Sequence, residues 1–233
     1  MPTLHPKGVN HLAIATRDMK TQLTFWNEVL GCPTKALYWM HNVDNVFHGF
    51  VELSPESYVA FVQDENNPKE PVWGVSHAGN PGGPVTAGAT QHIALHVDTF
   101  DELLSMRDRI RSHGIIALGP LDHGFIQSIY FAGPEGLSLE IACGRDIDER
   151  AWIDPEVQQL CDISAEEIES LKHPQPFERP VDPVQQPDAD PDKPVMHYAD
   201  DGAIGQMIKL SDEFLWENMS DREPPVAVEE DAR

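Results

Sequence analysis

Three residues stand where a metal ion could be held: His11, His92 and Glu140. His11 opens the run Asn10-His11-Leu12-Ala13-Ile14-Ala15, and His92 opens Gln91-His92-Ile93-Ala94-Leu95-His96-Val97. Both runs have the form polar–His–apolar–Ala–apolar, and the two histidines are 81 positions apart. Glu140 interrupts the apolar run Leu137-Ser138-Leu139-Glu140-Ile141-Ala142. A carboxylate buried there without a partner costs several kcal/mol, so it needs one unless the strand is an edge whose Glu reaches water. It lies 48 residues after His92, and the matching place 49 residues after His11 is Ala60. A lone strand histidine is more often a satisfied core or surface residue. Two at repeated positions, with a carboxylate inside an apolar strand, make a different pattern. Two neutral imidazoles and one carboxylate form the facial triad that suits iron(II) with open coordination positions.

The elements that must position these residues repeat with the histidines. Each His strand runs into a helix. The first has Asp18 as N-cap, an apolar stripe through Met19, Leu23, Trp26 and Leu30, and a stop at Gly31. The second has Thr99 and Glu102 as a capping box, uses Phe100, Leu103 and Ile110, and stops at Gly114. Three strand-like runs follow each helix: Lys35–Trp39, Val46–Leu53 and Ser57–Gln63, then Ile115–Leu118, Ile126–Phe131 and Leu137–Cys143. The expected fold is α+β, two βαβββ modules forming one metal-binding cleft. Period-two alternation puts Leu12, Ile14, Ile93 and Leu95 under the helices and leaves His11, Ala13, His92 and Ala94 on the opposite face. Alanine beside histidine leaves room there. The paired modules are expected over 8–145, about 8–64 and 90–145, joined by a Gly/Pro-rich loop over 65–89.

Residues 146–233 read as an acidic extension. Pro174, Pro176, Pro180, Pro183, Pro187, Pro191 and Pro194 exclude helix or central strand there, so an extended strap or linker is expected. Short helices are expected on either side, one from the Ser164/Glu167 capping box, the other over Ile204–Leu215. The chain carries 39 acidic and 16 basic residues, a net charge of −23, the reverse of what a phosphate-binding surface requires. No nucleic-acid partner is expected. No apolar run reaches the roughly 20 residues of a membrane span, and the N-terminus does not read as a signal peptide. Cys32, Cys143 and Cys161 form no CxxC pair and are expected as reduced thiols in a cytoplasmic protein.

The repeat, the Asn-His and Gln-His strand openings and the run Tyr130-Phe131-Ala132-Gly133-Pro134-Glu135-Gly136-Leu137-Ser138-Leu139-Glu140 resemble the vicinal oxygen chelate superfamily. That group includes glyoxalase I, fosfomycin-resistance and bleomycin-resistance proteins and type I extradiol dioxygenases. The resemblance covers roughly residues 8–145. It implies a metal held by His11, His92 and Glu140: Fe(II) first, Mn(II) second, another divalent metal if the reaction is not a dioxygenation. Glyoxalases of the group use a fourth ligand where this chain has Ala60, and fosfomycin-resistance proteins are shorter and carry a cationic pocket. The ligand pattern therefore resembles the extradiol branch.

That branch implies further roles. Tyr130 stands ten residues before Glu140, as its tyrosine does before the ligand glutamate. His123 lies in the loop before that strand, and His77 precedes His92 by fifteen residues; both resemble acid–base histidines of the branch. His48, Phe50, Trp73 and Phe125 are expected to line the substrate pocket and favour a flat aromatic ligand. The implied activity is extradiol-type cleavage of a catechol-like or other vicinal-oxygen aromatic substrate with O2, as in aromatic compound catabolism, by a homodimer or higher homo-oligomer. Two alternatives belong to the same superfamily: a glyoxalase-like isomerase or lyase, and a small-molecule binding protein without chemistry.

Overall fold

Both expected helix starts are built by side-chain caps. The Asp18 carboxylate accepts a hydrogen bond from the Thr21 N–H and opens α1 (Met19–Glu28). Thr99 and Glu102 cap each other reciprocally at the start of α2 (Phe100–Ser112). Gly31, at φ +81°, closes the first helix in the left-handed conformation that glycine adopts without strain. These elements come from a computed structural model describing residues 4–190, 192–198 and 201–228.

Around the helices lie two four-stranded sheets with the same topology. The first contains β1 (His11–Thr16), β2 (Thr34–Trp39), β3 (Phe47–Ser54) and β4 (Ser57–Gln63), in the order β1-β4-β3-β2. The second contains β5 (Ile93–His96), β6 (Ala117–Asp122), β7 (Ile126–Ala132) and β8 (Ser138–Gly144), in the order β5-β8-β7-β6. In each the opening strand runs parallel to the last, and the other pairings are antiparallel. The chain is therefore α+β, built as two βαβββ modules.

The register makes the repeat concrete. Ala13 pairs with Ala60 and Phe50 with Ala60 in the first sheet. Ala94 pairs with Glu140 and Tyr130 with Glu140 in the second. Ala60 and Glu140 thus occupy the same place, as do Phe50 and Tyr130. The helix-facing side chains of both sheets share one core, in which Trp26, Phe61, Leu103, Ile110, Ile129, Leu139 and Ile141 are fully buried. Two polar ties join the modules. Arg109 of α2 donates to the Val29 and Glu28 carbonyls at the end of α1. Glu135, at φ +54° in the turn before β8, accepts from Thr16 Oγ1, the Arg17 N–H and Gln22 Nε2 at 2.5, 2.7 and 2.7 Å.

Two elements differ from expectation. β6 starts at Ala117 and continues past Gly119-Pro120 to Asp122. It is an edge strand with a register shift between Leu118 and Leu121, a setting where proline costs no ladder hydrogen bond. The amphipathic stretch near the C-terminus is two short helices, α6 (Ala203–Met207) and α7 (Asp212–Asn218), the second restarted by Ser211 as N-cap.

The chain divides into two compact units. One spans Pro6–His173 and includes three short helices beyond the second sheet: α3 (Glu149–Trp152), α4 (Pro155–Leu160) and α5 (Ala165–Lys172). α5 carries the expected Ser164/Glu167 capping box. The other unit comprises residues from Pro174 onward with the first five residues. Its segment 174–190 holds no helix or strand, as its prolines require. Among the described residues no helix is long and apolar enough to cross a membrane, and all three cysteines are free.

Candidate functional site

Glu140 is the buried charge of the second sheet, 2 % exposed between Leu139 and Ile141. Its outward neighbours on the strand are small, Ser138 and Ala142, and Ala94 lies across from it on β5, so the carboxylate has space in front of it. Its Oε2 lies 2.9 Å from His92 Nε2. Its Oε1 is buried without any hydrogen-bond partner. Such an orphaned carboxylate oxygen beside an imidazole nitrogen wants a cation.

Tyr130 stands next to Glu140 on β7, its ring edge-on to His92 at 6.3 Å between centroids. Its hydroxyl is 3.0 Å from His123 Nε2. Burial pushes the Tyr130 phenol above its ordinary range, and the negative charge of Glu140 adds to the effect. At neutral pH the phenol keeps its proton and can donate it to His123. His92, Glu140, Tyr130 and His123 therefore form one connected line of polar groups.

The turn carrying His123 is held both by its own module and by the chain beyond it. Asp122 accepts from the Gly124 N–H at 2.7 Å, and Arg145 donates to the Gly124 carbonyl at 3.0 Å. Phe125 packs edge-on against Trp152 of α3 at 4.7 Å. Gly124, at φ +91°, lies so close under Trp152 that a Cβ would meet the indole at 2.5 Å. Trp152 and Arg145 went unnoticed in the sequence, because nothing in their spacing reveals that the chain doubles back onto this turn.

His11 lies on the first sheet, edge-on to Phe50 at 5.7 Å, with Nδ1 2.9 Å from Asn10 Oδ1. His48 touches Phe50 at 4.6 Å and its Nδ1 is 3.3 Å from the Tyr38 hydroxyl. Burial, then the charges of His11 and His41, lower the His48 pKa. This face is an aromatic cluster, not a set of ligands. Among the described residues no group of three or more His, Cys, Asp or Glu side chains is placed to hold a metal. The chain brings His92 and Glu140 together and leaves His11 outside their reach.

His77 takes a third position. It sits beside Ser76 Oγ at 2.9 Å and Trp73 at 5.9 Å, and both rings lie against Gly136, where a Cβ would meet Trp73 at 2.8 Å. With His92, Ala13, Thr16 and Glu135 it lines a cavity of about 320 Å³ between the first strands of the two modules. No contact joins His77 to Tyr130 among those observed.

A family model described as the Glyoxalase/Bleomycin resistance protein/Dioxygenase superfamily matches residues 8–141. Biphenyl-2,3-diol 1,2-dioxygenase 2 of Rhodococcus globerulus is 32% identical over 78 residues, 34% of this chain and 40% of that protein. The chain thus spans two fifths of that relative's length. Among solved structures, a glyoxylase/bleomycin resistance protein/dioxygenase domain from Frankia sp. EAN1pec is 15% identical, covers 60% of this chain and all of its own, and gives a TM-score of 0.49. The fosfomycin resistance protein FosX of Mesorhizobium loti is 17% identical, covers 63% of this chain and 98% of its own, and gives 0.43. With its duplicated module and a family match over more than half its length, the chain belongs to the glyoxalase/bleomycin resistance/dioxygenase superfamily.

Proposed function

We propose that this protein is an Fe(II)-dependent extradiol-type dioxygenase acting on a catechol-like substrate. The observation that carries the reading is Glu140: a buried carboxylate with one orphaned oxygen, beside His92 and in line with the Tyr130–His123 pair. His92 and Glu140 would hold the metal. The third ligand would be His11 of a second copy of the chain, so the working form is a homodimer or a higher homo-oligomer. The similarity to a biphenyl-diol dioxygenase supports this direction.

The bound metal would supply adjacent coordination positions for two vicinal substrate oxygens and for O2. The protein's own groups do the rest. Ser138, Ala94 and Ala142 leave room in front of Glu140 for a flat ring. Tyr130, kept protonated by burial, donates to His123, and its oxygen would accept the proton of a substrate hydroxyl as that hydroxyl ionises. The phenol proton passes to His123 Nε2 in the same step, so the phenol stays neutral and His123 is the base, which is positioned acid–base work. The aromatic face of His48, Phe50 and Tyr38 would cover the ring from the other copy.

The test is metal content after purification without chelator, followed by anaerobic Fe(II) loading and oxygen-electrode assays with biphenyl-2,3-diol and simple catechols. One iron per chain and substrate-dependent oxygen uptake are expected, both lost in His92→Ala. A protein that retains no divalent metal, or consumes no oxygen with any vicinal diol, overturns the reading. Size-exclusion chromatography with light scattering checks the assembly, and a monomer at micromolar concentration would remove the source of the third ligand.

A further inference from the structure

Away from the His92–Glu140 pair, α1 carries a second orphaned oxygen. Gln22 is wholly buried. Its Nε2 donates to Glu135 Oε2 at 2.7 Å, while its Oε1 has no hydrogen-bond partner among the described residues. The amide cannot turn over, because its oxygen would then face the carboxylate. Glu135 is itself held in place. Thr16 Oγ1 donates to the same Oε2 at 2.5 Å, and the Arg17 N–H donates to Oε1 at 2.7 Å. Thr16 in turn accepts from the Asp18 N–H at 3.0 Å. The backbone thus fixes the carboxylate, the carboxylate fixes the amide, and Gln22 Oε1 is left as a rigid acceptor. A buried acceptor is costly to leave unpaired.

The residues of this cluster line a cavity. Thr16, Arg17, Gln22 and Glu135 all border the space of about 320 Å³ between β1 and β5. Glu140, Tyr130 and His123 do not line it, although His92 does. The volume is about twice the roughly 150 Å³ that takes up benzene, which is room for one ring with its substituents. Ala13, Ala15, Pro68, Pro71, Ala78 and Leu137 give it small apolar walls. Its charges cancel, with Arg17 and Lys69 set against Glu70 and Glu135. An occupant that matches these walls is uncharged, about one ring in size, and has a hydroxyl to donate. A purely apolar molecule would leave the orphaned oxygen unpaired, and an ion would find no uncompensated opposite charge.

We propose that this cavity is a second small-molecule site, which binds a neutral hydroxylated ring of phenol size through a hydrogen bond from its hydroxyl to Gln22 Oε1. Binding there uses packing and one fixed acceptor and needs no metal, so the proposal does not rest on the dioxygenase reading. Gln22 is the specificity residue of the site. It selects a hydroxyl against a methoxy group, because an ether oxygen can only accept and would meet the amide oxygen.

Phenol and anisole are the probes, since they share a ring and differ in the donor. Each is titrated into the metal-free protein near neutral pH and followed by proton–nitrogen correlation NMR. Phenol should shift the backbone amides of Thr16, Gln22 and His77 and the Gln22 side-chain amide, and the shifts should saturate. Anisole should bind about 10-fold more weakly, the scale of one unmade hydrogen bond. Gln22→Met keeps the side chain's length and removes the acceptor, so it should bind the two probes alike. Should that variant fail to fold, the wild-type comparison still decides. Anisole bound as tightly as phenol, a Gln22→Met protein that keeps the preference, or shifts confined to the surroundings of Tyr130 and His123 overturns the proposal. So does a wild type that binds neither probe. Iron content and oxygen uptake play no part in this measurement, so a protein that takes up phenol here but holds no metal sinks the dioxygenase reading alone.

Discussion

The two sheets share one scaffold and differ at three paired places. Where the second has Glu140, Tyr130 and Ser128, the first has Ala60, Phe50 and His48. The second sheet has a buried carboxylate and a phenol in contact with a histidine. The first has a fully buried alanine in the carboxylate's place and sets Phe50 and Tyr38 against its histidines. Two like frames therefore carry unlike faces, one chemical and the other aromatic. The histidine at the strand opening, with its amide neighbour, stands on both.

The comparison breaks most completely at Glu140. Glu140→Ala makes the second module match the first, and His92 loses the group at its Nε2. Metal content should fall to background, more than the roughly 10–100-fold that altering an outer-shell partner costs. Elemental analysis checks this, and a variant that still holds one metal per chain would show that the carboxylate is not a ligand. Tyr130→Phe likewise imports the first module's residue. It should keep the metal and slow substrate-dependent oxygen uptake by about 10²–10⁴-fold, as for a positioned proton-transfer group. His123→Ala should behave alike, because the two share one hydrogen bond.

The reverse exchange tests packing. Ala60→Glu puts a carboxylate at a fully buried place, with His11 in the position that His92 holds beside Glu140. The metal-free protein should lose about 1–3 kcal/mol, the cost of overfilling a close-packed place, with His11 offsetting part of the buried charge. Urea denaturation measures it. A smaller loss would mean that the aromatic face opens to water more readily than its burial implies.

Much of this division was legible in the residues. Alternation, two capping motifs and the spacing of His92 and Glu140 placed the pair on one face, because strand period and parallel register are local rules. The neighbours of Tyr130 were legible in part: His123 sits in the turn before its strand, so short-range geometry brings them together. Other features depend on where distant chain returns. Gln91 is locked by carbonyls of a Gly/Pro-rich loop whose path no periodicity encodes. Trp152 lies past the last strand, yet it packs on Gly124 and Phe125. The separation of His11 from the other two residues was equally hidden, since repeat spacing fixes position within a module but not how modules face each other.

Trp152 gives a smaller and finer test. Trp152→Ala should cost about 1 kcal/mol, typical of a lost aromatic pair at a half-exposed site. It should lower oxygen uptake by a few-fold, because His123 then sits on a looser turn. Trp152→Phe should recover most of both. An effect on stability alone would confine the residue to packing.

His48 offers the mildest contrast, and a pH-dependent one. Its place on the second sheet is taken by Ser128, which does not titrate in this range. Burial disfavours the His48 imidazolium, and the charges of His11 and His41 add to that, so its pKa lies below the ordinary value of 6.5. The unfolded chain, with its pKa near 6.5, then binds the proton more readily than the folded one. The stability contributed by the neutral ring is fully present above about pH 6.5. It declines as the pH falls from there toward the folded-state pKa, and below that value no more is lost. His48→Gln removes this loss while keeping a polar side chain beside Tyr38. Urea midpoints at pH 7.5 and pH 5 should therefore differ by less in the variant than in wild type. Equal differences would mean that the histidine is as well hydrated folded as unfolded, and that the first sheet's aromatic face excludes less water than its packing indicates.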